Sequence, residues 1–125
     1  MSNKNATCCP GRSIRVPEEI AILVEEGGGL DSICAAVPSA AALGQEASMH
    51  RAMSDRHRLI VLHALTRCDL CPCLLKSITG LADSKLSYHL AVLEGAGLIS
   101  SRQLGQYRVY ALTEDGRRAT EAEKE

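Results

Sequence analysis

The first fifty residues alternate short apolar stripes at helical spacing with polar or glycine-containing breaks. The stretch "VPEEIAILVEEGG" has Pro17 at a helix start, apolar residues every three or four positions, and a glycine run that ends it. "LDSICAAV" favours one or two further turns before Pro38, and "SAAALGQEASMHRAMS" favours a helix that Ser39 caps. This part of the chain therefore predicts short helices.

The helical signals become stronger after Asp55. The segment "DRHRLIVLHALT" predicts a buried helix that this aspartate caps. "PCLLKSITG" predicts a helix of about two turns from Pro72 to Gly80. "LADSKLSYHLAVLEGAGL" predicts a third helix, with caps at 83–84, leucines at 86, 90 and 93 on one face, and a glycine stop.

Alternating apolar and polar residues follow on both sides of Leu104-Gly105-Gln106, which predicts a β-hairpin. Helix, tight turn, second helix and hairpin is the order of a winged helix-turn-helix, whose second helix enters the major groove of DNA. The predicted fold is mainly α with a small β-hairpin wing. The predicted organisation is an arm with a cysteine pair at 1–16, a helical extension for dimerisation at 17–47, the winged domain at 48–113 and a polar tail at 114–125.

Charge is distributed unevenly. The whole chain has a net charge of −1, but residues 48–112 carry eight Lys or Arg against four acids and are therefore +4. Such a basic centre is typical of a surface that binds nucleic acid, although a solvated surface can have the same excess.

The chain has six cysteines, and three of them lie in "CDLCPC" at 68–73. No run of about 18 apolar residues occurs and the first residues lack the apolar centre of a signal peptide, so a soluble cytoplasmic protein is expected. In that compartment clustered cysteines indicate metal or redox chemistry.

The quoted segments also resemble a known family. "HRAMSDRHRLIVLHAL", "DLCPCLL", "DSKLSYHLAVLEGAGLI" and "RQLGQYRVYAL" are similar to successive signatures of the ArsR/SmtB family of metal-sensing winged-helix repressors, over residues 48–112. The family's "S-x-H-L-x-x-L-x-x-x-G-L-[IV]" run is present from Ser87 to Ile99. The resemblance implies a homodimeric repressor, not an enzyme, that binds double-stranded operator DNA and needs no organic cofactor.

Two departures from the family pattern change what is expected. "DLCPCLL" lies where arsenic- and cadmium-responsive members have an "ELCVCDL" metal box, but Lys76 replaces a third thiol of some arsenic sensors. The polar end "TEDGRRATEAEKE" indicates that the family's long C-terminal dimerisation helix, with its zinc site, is short or absent. Dimer contacts are then expected from the helices before residue 55.

The DNA-binding residues are expected at the start of the second helix and at the hairpin tip, where hydroxyl, amide and cationic groups reach phosphates and base edges. The candidates are Ser84, Lys85, Ser87, Tyr88, His89, Arg102, Gln103, Gln106 and Arg108.

The candidate metal ligands are cysteines. Cys71 and Cys73 converge at a helix start, where the helix dipole stabilises thiolates, and thiolates select soft ions. Cys68 would complete a three-sulfur site suited to As(III) or Sb(III), whereas Cys8 and Cys9 would complete a site suited to Cd(II) or Pb(II), with Zn(II) also a candidate.

Three functions fit these residues. The first is a repressor that soft metal(loid) ions release from DNA, with As(III) or Sb(III) favoured. The second is a repressor on the same scaffold that thiol oxidation controls. The third is a metal-buffering module that does not bind DNA, and it would leave residues 84–89 without a purpose.

Overall fold

The computed structural model describes residues 14–123, so Cys8 and Cys9 lie outside the described residues. Its elements are α1 (Glu18–Glu26), α2 (Leu30–Ala35), α3 (Ala40–Ala52), α4 (Arg56–Leu65), α5 (Pro72–Thr79), α6 (Asp83–Gly95), β1 (Ile99–Leu104), β2 (Tyr107–Leu112) and α7 (Glu114–Glu123). The chain divides into two compact units, Met1–Leu43 and Gly44–Glu125, and the division falls within α3. No helix in the described part of the chain combines the length and apolar character needed to cross a membrane.

The first unit contains α1 and α2. Pro17 precedes α1, Glu18 and Glu19 occupy its first turn, and Gly27 ends it, as the sequence signals predict. Gly28 and Gly29 have positive φ angles, which separates the two helices, since residues with a Cβ rarely adopt that conformation. Cys34 is the buried residue of α2.

The core of the second unit is built almost wholly from leucine, valine and alanine. Leu62 and Leu65 of α4, Leu75 of α5 and Leu93 of α6 are each no more than 1% exposed. They form one cluster with Ala52 at the end of α3 and with residues 98–99 at the start of the wing. This cluster fixes α5 and α6, the helix-turn-helix pair, against α4.

The wing is an antiparallel hairpin whose register runs from Ile99 paired with Leu112 to Leu104 paired with Tyr107. Gly105 and Gln106 form its two-residue turn, and Gly105 has a φ of 64°. The mainly α fold with a two-stranded wing agrees with the sequence prediction.

The C-terminal segment, predicted to be a polar tail, forms α7. The Thr113 hydroxyl starts the helix by accepting a hydrogen bond from the Gly116 amide at 3.0 Å and by donating to the Gly97 carbonyl at 2.7 Å. Gly116 and Thr120 are buried, and α7 packs against α4 and β2. The segment forms a packed helix and not a tail because two small residues, four positions apart, give it one face that can approach the core closely.

Candidate functional site

Cys71 and Cys73 lie together at the start of α5. Cys71 is the N-cap residue with extended backbone, Pro72 is the first helical residue, and Cys73 is the second. Their sulfur atoms are 3.1 Å apart. The sequence predicted this placement, because proline at the first position fixes where the helix begins. Cys71 is partly buried and Cys73 is exposed, so both thiols can be reached from solvent.

The short contact makes the two thiols chemically unequal. The hydrogen bond from the Cys73 thiol lowers the pKa of Cys71, and the backbone amides of Leu74 and Cys73 lower it further. The same hydrogen bond raises the pKa of Cys73, because Cys73 is the donor that holds the shared proton. The pair therefore loses its first proton easily and its second with difficulty.

Cys68 is exposed in the connection between α4 and α5. Within residues 14–123, Cys68, Cys71 and Cys73 do not form a group of three ligand atoms within 4.8 Å of one another. The structure thus brings two of the predicted cysteine ligands together and leaves the third apart. The arm cysteines, Cys8 and Cys9, lie outside the described residues.

The cysteine segment is joined to the wing. Leu70 and Tyr110 form an isolated antiparallel bridge, with N···O distances of 3.1 Å and 2.8 Å. Next to it, the Asp69 carboxylate and the Arg102 guanidinium form an ion pair at 2.6 Å. Sequence reasoning missed both contacts, since the paired residues are more than thirty positions apart. The cysteines are therefore connected to α5 on one side and to the wing on the other.

The outer face of α6 carries four of the nine predicted DNA-binding side chains. Ser84, Lys85, Ser87 and Tyr88 are all exposed, and Tyr88 is 61% exposed. The preceding helix is held close to the start of α6 by an ion pair at 3.0 Å between Lys76 and Asp83. These side chains are free to contact a ligand laid along the helix.

His89 differs from the expectation. It is 7% exposed, and its Nδ1 accepts a hydrogen bond at 2.9 Å from Arg58. Arg58 also donates from Nε to the Ala52 carbonyl at 2.7 Å, so it links the end of α3 to α6. His89 belongs to the same helical face as Leu86 and Leu93, which explains its burial. It therefore holds α6 to Arg58 of α4 and is not among the exposed side chains of the helix.

Asp55, His57 and His89 offer ligand atoms that all lie within 4.8 Å of one another. Burial lowers the pKa of His89, although Asp55 opposes the effect, so His89 is neutral and accepts from Arg58. Burial alone would raise the pKa of Asp55, but hydrogen bonds from the amides of Arg58 and His57 and the charge of the Arg58 guanidinium lower it. Because a guanidinium already occupies the ring nitrogen, this cluster is a hydrogen-bonded helix junction.

The wing residues occupy two environments. Gln103 and Gln106 are exposed near the hairpin tip. Arg102 is exposed but ion-paired with Asp69, and Arg108 donates to the Ser101 hydroxyl at 2.7 Å. Ser101 in turn donates to Glu94 of α6 at 3.1 Å, which ties the wing to the second helix of the pair.

Comparisons with known proteins agree with this architecture. The family described as "Bacterial regulatory protein, arsR family" matches residues 55–101. The arsenical resistance operon repressor of Bacillus subtilis is 36% identical over 66 residues, which span 52% of this chain and 63% of that protein. A transcriptional repressor SmtB homolog of Synechocystis is 31% identical over 71 residues, which span 57% of this chain and 54% of that protein. The matched regions thus span less than two thirds of either relative.

Solved structures show the same fold. The homodimeric winged helix-turn-helix DNA-binding domain of Mb0332 from Mycobacterium bovis superposes with a TM-score of 0.65 at 27% identity, covering 71% of this chain and 86% of that one. HlyU from Vibrio cholerae superposes with a TM-score of 0.62 at 28% identity, and the superposition covers 67% of this chain and 92% of HlyU.

The fold is that of winged helix-turn-helix transcriptional regulators, which confirms the predicted fold class. More particularly, residues 55–101 match the arsR family of bacterial regulatory proteins, which supports the family resemblance seen in the sequence.

Proposed function

We propose that the protein is a homodimeric transcriptional repressor that binds double-stranded operator DNA and leaves it when a soft metal(loid) ion binds its cysteine thiolates. As(III) and Sb(III) are the favoured effectors, and Cd(II), Pb(II) and Zn(II) are the alternatives.

The DNA-binding part of the proposal rests on α6. Its exposed residues Ser84, Lys85, Ser87 and Tyr88 lie on the helix that enters the major groove in this fold, and the wing glutamines lie at the hairpin tip. Two such helices in a dimer would read a nearly palindromic operator, because protein symmetry and operator symmetry match. The relatives in Bacillus and Synechocystis bear the names of repressors, which is consistent with this role.

The effector part rests on one observation: the Cys71 and Cys73 sulfurs lie 3.1 Å apart at the start of α5. Since metal–sulfur bonds are about 2.3 Å long, sulfurs this close can both reach one ion. The lowered pKa of Cys71 supplies a thiolate, and thiolates prefer soft ions to Mg²⁺ or Ca²⁺. The donors therefore fit a soft metal(loid) and not a hard cation.

Two thiolates leave such an ion incompletely bound. Cys68 is three residues before Cys71 and exposed, so a rearrangement of the loop could supply the third sulfur that As(III) or Sb(III) needs. Cys8 and Cys9 are the alternative source, and they would favour Cd(II) or Pb(II). The ion that releases the protein from DNA most effectively therefore indicates whether Cys68 or the pair Cys8 and Cys9 completes the site.

The route from ion to DNA follows the contacts of the cysteine segment. Cys71 is the cap of α5, whose Leu75 packs in one cluster with Leu86 and Leu90 of α6. Leu70 is hydrogen-bonded to the wing at Tyr110. Drawing the thiols around an ion would shift both DNA-contacting elements. About 1 to 3 kcal/mol per binding event is typical of such coupling, which corresponds to roughly 5- to 150-fold in DNA affinity.

The test is fluorescence anisotropy on DNA from the protein's own promoter, under reducing anaerobic conditions, with each ion titrated separately. We expect near-stoichiometric release by As(III) and Sb(III), and loss of that release in the double variant Cys71→Ser, Cys73→Ser. Cys68→Ser and the pair Cys8→Ser, Cys9→Ser identify the third ligand. Unchanged release in the double variant would exclude the proposed site, and absence of salt-dependent DNA retention would leave a metal-buffering module instead.

The same sulfur contact favours a second candidate, a redox switch. Hydrogen peroxide can oxidise two thiols to a disulfide: it takes up the two electrons and two protons that the thiols lose and becomes two waters. The low-pKa thiolate of Cys71, with Cys73 beside it, suits that reaction. Peroxide-triggered release from DNA that dithiothreitol reverses, with chelator present throughout, would favour this candidate over metal sensing.

A further inference from the structure

A cavity of about 460 Å³ lies beside the recognition helix, between α6, the end of α3 and the connection to α4. Its lining includes two arginines, Arg51 and Arg58, and three residues with hydroxyl groups, Ser48, Ser54 and Tyr88. The Ser54 hydroxyl donates to the Arg51 carbonyl at 2.7 Å. Small apolar side chains, including Ala91 and Val92 of α6, form its floor. None of the sequence signatures of the family explains this combination.

The electrostatics of the cavity favour an anion. None of the described residues that line it is acidic. Asp55 follows Ser54 in the chain and does not line the cavity. Its carboxylate accepts hydrogen bonds from the backbone amides of His57 and Arg58. Arg51 is exposed, and within residues 14–123 no carboxylate lies within ion-pairing distance of its guanidinium. An arginine that has no carboxylate partner and lies close to residues with hydroxyl groups is typical of a phosphate-binding site.

One arginine is already held in place. Arg58 donates to the Ala52 carbonyl and to His89, so its guanidinium is fixed at the cavity without any ligand. Arg51 is the adaptable partner on the neighbouring turn of α3. Because the Arg58 guanidinium is fixed and the Arg51 guanidinium can adjust, the two groups can contact an anion from two sides.

We propose that this cavity binds a sugar-phosphate unit of the operator backbone, with Arg51 as the principal contact and Tyr88 as a hydroxyl donor. This inference rests on the proposed DNA-binding function and extends it to a surface outside the helix-turn-helix pair and the wing. Tyr88 belongs to both surfaces, because it lies on the exposed face of α6 and lines the cavity. A duplex laid along α6 therefore brings its backbone to the rim, and the contact anchors the duplex without reading its sequence.

The experiment is anisotropy of the full chain on its promoter duplex and on an unrelated duplex of equal length, from about 50 to 200 mM salt. Arg51→Gln should weaken binding to both duplexes by a similar factor, about 10-fold for a dimer with two such sites. The slope of log affinity against log salt should fall by about 0.9 for each phosphate that the variant no longer neutralises, or about 1.8 per dimer. Arg51→Lys keeps the charge and should retain most of the slope.

Arg117→Gln is the matched control, since it removes the same charge from an exposed position on α7. It should leave both affinities unchanged, and thermal unfolding should confirm that all three variants fold like the parent. An unchanged slope in Arg51→Gln, with the parent still bound to DNA, would overturn this inference alone. Weaker binding to the promoter only would also overturn it, because it would assign base recognition to Arg51. A parent that does not bind DNA would remove the proposed function together with this inference.

Discussion

The Asp69 carboxylate lies 2.6 Å from the Arg102 guanidinium, so an acid inside the cysteine segment neutralises a cation on the wing. Both side chains are in contact with solvent, which limits the contribution of the pair to stability to about 1 kcal/mol or less. In the proposed DNA complex, a phosphate would have to displace Asp69 before it could contact Arg102.

Asp69→Asn should therefore increase DNA affinity by about 2- to 5-fold and steepen its salt dependence, since it frees Arg102 for phosphate. Anisotropy at several salt concentrations measures both quantities. The matched background is Arg102→Gln, in which Asp69→Asn should have no further effect. An equal gain in that background would show that Asp69 acts by general repulsion and not through Arg102.

The thiol pair predicts unequal reactivity. Because the Cys73 thiol donates to Cys71, Cys71 should react with iodoacetamide at lower pH than an ordinary thiol, and Cys73 only at higher pH. Peptide-level mass spectrometry of alkylation against pH follows each residue separately. Cys73→Ala removes the donor and should move the Cys71 profile upward, whereas Cys73→Ser keeps a hydroxyl donor and should move it less. Identical profiles in the two variants would contradict the assigned hydrogen bond.

The buried His89 predicts a pH dependence of folding. Its pKa is lowered in the folded state by burial, so the unfolded chain takes up the proton first. The stability that neutral His89 contributes is therefore present above the ordinary histidine pKa of about 6.5 and is lost as pH falls below it, by up to about 1.4 kcal/mol per pH unit. Urea denaturation from pH 7.5 to 5 measures this slope.

His89→Gln offers Arg58 an amide oxygen and does not titrate, so its slope in this window should be smaller than that of the parent. His63→Gln makes the same chemical change at an exposed position of α4 and should keep the parental slope. Asp55 acts in a separate window, because its lowered pKa places its loss of stability at more acidic pH. A parental slope in His89→Gln would mean that another group controls this range.

Gly116 predicts a steric effect in α7. A Cβ there would overlap the Leu98 carbonyl oxygen and come within 2.9 Å of Leu112 Cδ2. Gly116→Ala should lower the free energy of unfolding by about 1 to 3 kcal/mol, although alanine normally favours a helix. Gly95→Ala in α6 meets no atom within 4 Å and should be neutral or stabilising by up to about 1 kcal/mol. Chemical denaturation of both variants provides the comparison, and a stable Gly116→Ala would place α7 farther from the core.

Local signals allowed most of the second unit to be predicted from sequence. Asp55 caps α4 through the amides of His57 and Arg58, and Pro72 and Gly80 delimit α5, because each of these signals acts within one helical turn. The prediction for the start of α6 was less accurate. The helix begins at Asp83 after Ala82, and no side chain caps it.

The remaining features depend on contacts between distant residues. Asp69 meets Arg102 only because Leu70 joins the wing, and no local pattern encodes that approach. The burial of His89 did have a local signal: it lies three residues after Leu86 and four before Leu93, within the apolar stripe. The prediction that His89 contacts DNA followed the family motif, whereas the helical spacing places this residue on the buried face of α6.

The bridge between Leu70 and Tyr110 consists of backbone hydrogen bonds alone. Any amino acid except proline can supply these groups, so the bridge places no other demand on the identity of the side chains around it. The residues of the cysteine segment can therefore change by point substitution while its attachment to the wing persists. For the proposed regulator, a new effector would then require no redesign of α6.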